Sequence, residues 1–100
     1  MDTATLKEIL LEELQGYTGE GLNDFAYQTT NEAEQIYTIV DIAQVRDKRL
    51  VGTVLVARLA GSQIVIELDR HDKLLVDALQ ARGVPEDQII LAYRGDALPA

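Results

Sequence analysis

Between Asp24 and Leu68 the chain leaves no room for a crossover connection, and this restricts its fold more than any other feature. Four segments there, Asp24 to Thr30, Gln35 to Gln44, Arg49 to Leu59 and Gln63 to Leu68, are rich in Ile, Val, Thr and Tyr and read as β-strands. The links between them, "NEAE", "VRDK" and "AGS", are short, polar or glycine-bearing, as antiparallel hairpins require. Parallel neighbours would need a dozen or more connecting residues. The spacing therefore predicts an antiparallel meander.

Helical patterning flanks this block. From Thr3 to Gln15, Leu6, Ile9, Leu10 and Leu14 recur at helical spacing, and Thr5 and Glu8 stand at the separation of a capping box. Gly16 stops the helix, and "GYTGEG" through Gly21 reads as a loop. A phosphate-cradling loop should follow a strand and open a helix, which is the reverse of this context. After the fourth strand, Asp69 or Arg70 opens a second helix, with Leu75 and Leu79 one turn apart and Leu74 and Ala78 beside them. Gly83 is the expected left-handed cap residue, Val84 packs back on the helix, and Pro85 forbids its continuation. "QIILAY", Gln88 to Tyr93, is then a fifth strand whose unbroken apolar run implies burial on both faces beside strands already formed. The predicted fold is one α+β domain over residues 1–100: an N-terminal helix, a four-stranded antiparallel meander, a second helix and a short C-terminal strand (α-β4-α-β).

Hydrophobic residues at 47% and charged residues at 26% describe a chain that can bury a core and solvate a surface. No apolar run approaches the roughly 20 residues that span a bilayer, and the N-terminus lacks a basic-then-apolar leader, so a cytoplasmic protein with no membrane contact is expected. With no Cys, disulfides and thiolate chemistry are excluded. The net charge of -8 opposes general binding to nucleic acid, whose affinity rests on neutralised phosphates, and points to protein partners. Arg46, Lys48 and Arg49 cluster, but Asp47 interrupts them at a turn, the pattern of a solvated loop.

Catalytic chemistry has few candidates. The single Ser, Ser62, and the single His, His71, lie at opposite ends of the fourth strand, with eight intervening residues at about 3.3 Å each, far beyond hydrogen-bond reach. "ELDRHD", Glu67 to Asp72, gathers acids and a His in a way that a hard cation could use, but acids at a helix start are explained by capping and the helix dipole. Phe25, Tyr27, Tyr37 and Tyr93 read as sheet packing rather than as stacking platforms. No catalytic, cofactor-binding or metal-ligating residue is assigned.

Apolar residues occupy both faces of the predicted sheet. In the third segment Leu50, Val54 and Val56 alternate with Val51, Leu55 and Leu59; in the second, Ile36, Val40 and Ile42 oppose Tyr37 and Ile39. Two short helices can cover one face only. A homodimer is expected to cover the other, with Tyr37, Ile39, Val51 and Leu55 as interface candidates if the helices take the face of Ile36 and Val40.

From Gln35 to Arg94 the sequence resembles the cyanobacterial fdxN element excision controlling factor family, XisI. "RLVGTVLV" with Gly52, "SQIVIEL", "HDKLLVDAL" and "GVPEDQIILAY" stand in order where the family has a Gly-bearing strand, a "GKIWIQ"-like strand, a "TE..IA.EL" helix and "GIPK.DIVLGF". Gly83, Val84, Pro85, Asp87, Ile89, Ile90 and Leu91 keep their places without gaps. The chain departs at Ile42 and Ala43, which stand for the family's Gly-Trp, at His71 and Asp72, which stand for its Thr-Glu, and at Glu86, which stands for a Lys. The resemblance implies a small α+β accessory protein without catalytic residues of its own. It also implies a protein partner such as XisH and a role in controlling DNA element excision. An adaptor or scaffold on the same fold, recruited to another cyanobacterial assembly, is the alternative.

The charge balance predicts that the isolated protein does not bind duplex DNA appreciably at physiological salt. Fluorescence anisotropy with labelled duplex should show no saturable binding; sub-micromolar affinity falling steeply with salt would contradict this.

Overall fold

In a computed structural model, which describes residues 1–98, the first helix α1 spans Thr3–Gln15 as its apolar periodicity predicts. Its N-cap is Asp2 rather than Thr5: an Asp2 carboxylate oxygen accepts from the Thr5 backbone N–H at 2.7 Å, satisfying a donor that has no partner within the helix. That hydrogen bond also holds the Asp2 carboxyl below its ordinary pKa. Leu6, Ile9, Leu10 and Leu14 form the buried stripe.

The strands are β1 Gly19–Glu20, β2 Asp24–Asn31, β3 Ile36–Val45, β4 Lys48–Ala60, β5 Gln63–Asp69 and β6 Ile89–Leu91, with helix α2, Leu75–Ala81, between β5 and β6. They make one sheet in sequence order, with every neighbouring pair antiparallel except β5 and β6, which are parallel. The α+β class stands, but the four-stranded meander with a separate short strand is overturned by this six-stranded mixed sheet. Two interactions account for the difference. Gly19 and Glu20, read from sequence as loop, turn back at Gly21 and pair with Ala26 and Phe25; a two-residue strand carries no alternation by which it could be recognised. At the other edge, the segment from Arg70 to Gln88 supplies the long crossover that parallel pairing needs, so β6 docks on β5 as the last strand of a β-α-β unit.

The register contains two bulges. Ile39 pairs with Leu55 but Val40 pairs with Thr53, so Val54 has no opposite number; Glu67 is skipped in the same way between β4 and β5. An extra residue reverses the inward and outward alternation beyond it. Val51 therefore lies with its partner Ile42 on the face opposite Leu55, whereas uninterrupted alternation placed Val51 and Leu55 together.

Both helices cover the face that carries Tyr37, Ile39, Leu55, Ala57, Leu59, Ile64, Ile66 and Ile89, and these side chains with those of α1 and α2 form the core. This is the opposite face from the one assumed in choosing interface candidates. Tyr37, Ile39 and Leu55 have no exposed surface with which to meet a partner. Arg82, just beyond α2, ties the two helices together at the surface through Glu12 and Glu13 at 2.8 and 3.3 Å.

Helix α2 opens later than expected. Asp69 still belongs to β5, and its fully buried carboxylate accepts from the backbone N–H of His71 at 3.0 Å and of Leu75 at 2.7 Å, so the acid bridges strand end and helix start across an intervening loop. The far end of α2 follows the sequence reading. Gly83 has φ +90°, its N–H reaches the Gln80 carbonyl at 3.0 Å, and the Val84 N–H reaches the Leu79 carbonyl at 3.1 Å. These bonds make a Schellman cap, with Val84 buried as its apolar contact. Pro85 begins a 3-10 turn, Glu86–Gln88, that leads into β6, and the expected strand is cut short because Ala92–Arg94 curls into a second 3-10 turn.

A Cβ at residue 83 would meet no atom within 4 Å, so only the left-handed backbone opposes a side chain there. Gly83→Ala is expected to destabilise the protein by about 1 kcal/mol, read as a lowered melting temperature. An unchanged melting temperature would mean that the helix ends in some other way.

Candidate functional site

Helix α1 ends at Gln15, short of the far end of β2 to β4, and where its cover runs out a cleft of about 300 Å³ opens on the helix side of the sheet. Tyr17, Asp24, Asp41, Arg70 and His71 supply its functional groups. The Tyr17 hydroxyl donates to the Lys73 carbonyl at 2.8 Å, and its ring meets the His71 imidazole edge-on with centroids 4.5 Å apart. Burial, reinforced by the negative charge of Asp69, pushes the Tyr17 phenol up to about 12. His71 Nδ1 lies 3.7 Å from an Asp69 oxygen and makes no hydrogen bond.

Asp41 is the least expected group here. It interrupts the apolar run of β3, and one of its carboxylate oxygens is buried without a hydrogen-bond partner. Burial, and then the neighbouring Asp24 carboxylate, raise its pKa, so Asp41 holds a proton more readily than an ordinary carboxyl does. The visible signal in the sequence was a lone carboxylate between Val40 and Ile42; a period-two reading treats such a residue as an outward-facing position and passes over it.

The one aliphatic hydroxyl at the cleft among the described residues, that of Thr18, donates to the Gln15 carbonyl at 2.8 Å. Ser62 and His71 lie beyond opposite ends of β5, and both Asp69 oxygens accept from backbone N–H groups. Among the described residues no three His, Asp or Glu side chains converge as metal ligands would. The arrangement can accept or donate protons and hydrogen bonds.

Over β2 to β4 the other face of the sheet has neither α1 nor α2 over it. Phe25, Tyr27 and Val51 are 40%, 48% and 67% exposed, and Ile36, Val40, Ile42 and Val56 are half-buried around them. The Phe25 and Tyr27 rings pack at 4.5 Å between centroids, and with Leu22, Ile42 and Arg49 they line a second concavity of about 290 Å³. Of the four interface candidates, only Val51 lies on this open face. Phe25 and Tyr27 were assigned to sheet packing; they do pack on each other, but on the uncovered side. Gly83 and Pro85 stand at the turn where they were expected. Arg46, Lys48 and Arg49 are exposed at the tip of the β3–β4 hairpin, where Arg46 has φ +59°.

Fold and site together define a small α+β protein built on one mixed sheet, helices on one side, apolar surface on the other. The chain belongs to the XisI family, which it matches over residues 2–98. Two solved structures from Anabaena variabilis ATCC 29413 share the fold. A XisI-like protein is 15% identical, with a TM-score of 0.66 over 88% of this chain and 80% of its own. The fdxN element excision controlling factor XisI is 23% identical, with a TM-score of 0.57 over 90% of this chain and 86% of its own. No curated protein matches the chain significantly.

An acid whose pKa is raised by folding holds its proton more tightly in the folded state, so its ionisation removes stability as pH rises above the unfolded value of 3.8. Asp41→Asn should therefore raise the melting temperature at neutral pH, and the gain should shrink as pH falls through that value. Melting curves across pH check this; a variant less stable than wild type at neutral pH would show that the ionised carboxylate is needed there.

Proposed function

We propose that this protein is a non-enzymatic accessory factor that controls excision of a DNA element in the cytoplasm through association with another protein, an XisH-like one being the first candidate. Membership of the XisI family over almost the whole chain carries this reading. The likeness to a protein named as an fdxN element excision controlling factor supports it. The molecule's own chemistry agrees: with a net charge of -8 and three basic residues at one hairpin tip, it is poorly suited to grip DNA, whereas its sheet offers an apolar surface suited to protein. Among the described residues no helix is long and apolar enough to cross a membrane.

The test is genetic and biochemical. Deleting the gene in its native host should abolish excision of the element, assayed by amplification across the rejoined junction, and re-expression should restore it. Pulldown should recover an XisH-like protein. Normal excision in the deletion strain overturns the reading and returns the chain to the class of adaptors on the same fold.

A further inference from the structure

We infer that the open face of the sheet is the seat of a second copy of this chain, packed face to face about a two-fold axis that lies between the sheets and runs across the strands. The face is suited to itself. Phe25, Tyr27, Val40, Ile42, Val51 and Val56 are uncharged, Thr38 and Thr53 lie among them, and Arg58 beside them is neutralised by Glu67 at 2.8 Å. Apart from Glu20, which stands beside Phe25 on the edge strand, these residues include no unpaired acid, so on a chain of net charge -8 this is the face on which two like-charged copies can approach at least electrostatic cost. Its size approaches what a stable dimer needs. β3 is ten residues long, so at about 3.3 Å per residue, with four strands about 4.8 Å apart, the footprint is about 600 Å² before side-chain relief is counted. A stable interface buries about 800 Å² per partner.

Charge at the two ends of the hairpins selects the orientation. The tip between β3 and β4 carries Arg46, Lys48 and Arg49 with one acid, Asp47, and none of the three cations is ion-paired among the described residues; the turn between β2 and β3, at the opposite end of β3, carries Glu34, also unpaired among them, beside Glu32, which is held by Lys7 and Tyr37. A two-fold axis across the strands, level with Val40 and Thr53, reverses strand direction between the copies and sets each basic tip over the other copy's acidic turn. An axis along the strands would stack basic tip on basic tip. Opposite charges at the rim fix register and orientation while the apolar centre supplies the affinity. The bulge at Val54 makes the surface possible, because it moves Val51 out of the helix-covered alternation and places it beside Ile42.

Sedimentation and light scattering on the full chain test this. The wild type should have a dimeric mass that dissociates on dilution. Val51→Glu should give a monomer with unchanged circular dichroism, because an already exposed side chain contributes little to the fold. Arg46→Glu with Lys48→Glu should weaken the dimer about fivefold, and adding Glu34→Lys to the same chain should restore part of that loss. A wild type monomeric at every concentration overturns the proposal and assigns the face to a different protein. A Val51→Glu dimer as tight as wild type overturns the choice of face, and tighter association of the Arg46→Glu, Lys48→Glu chain overturns the orientation.

Discussion

Leu6, Ile9, Leu10 and Leu14 of α1 and Leu75, Val76 and Leu79 of α2 are buried on one and the same face of the sheet, against Tyr37, Ile39, Leu55, Ile64 and Ile66. Burying each such side chain contributes roughly 1.5 to 3 kcal/mol, and the helices have no comparable stripe on their other sides with which to hold anything else. The remaining features of the molecule depend on this one-sided cover. It commits the alternate residues of β2 to β4 to the opposite surface, and it stops short at Gln15, which leaves the polar cleft around Asp41 and His71 at the uncovered end.

Cleft and open face are chemically unlike. The cleft joins Asp41, a carboxyl whose pKa is raised by burial, to an aromatic pair, Tyr17 and His71, whose hydroxyl and backbone contacts hold the loop after β5 in place. The open face carries aromatic and β-branched side chains with little charge. A protein that works by association has more use for the second, since burial of apolar area supplies affinity and rim charges supply register.

Much of the candidate surface was legible as chemistry and misplaced as geometry. The apolar character of both faces could be read from β3 and β4, and so could the need for something beyond two helices to cover them. Which face the helices took could not be read, because Ile36, Val40 and Ile42 offer the helices as much apolar surface as Tyr37 and Ile39. Val51 and Leu55 were paired by simple alternation, and the bulge at Val54 separates them. Asp41 escaped notice for a related reason: one polar residue in a strand is ordinarily a solvent-facing one, and only its packed surroundings leave an oxygen there without a partner.

Local interactions decide what a sequence can announce by itself. The span of α1 follows from its apolar period, the hairpins from connections too short for any other pairing, and the end of α2 from Gly83, whose φ of +90° is open to glycine at no steric cost, followed by Pro85, which has no N–H to continue the helix. Tertiary structure decided the rest. β1 is a strand only because β2 lies beside it, β6 is parallel only because α2 carries the chain back across the core, and the bulges exist only where one strand's register is held against its neighbour's. Each of these joins residues whose pairing leaves no local period or turn signal, so the energy that selects them appears only once the sheet and its helical cover are assembled.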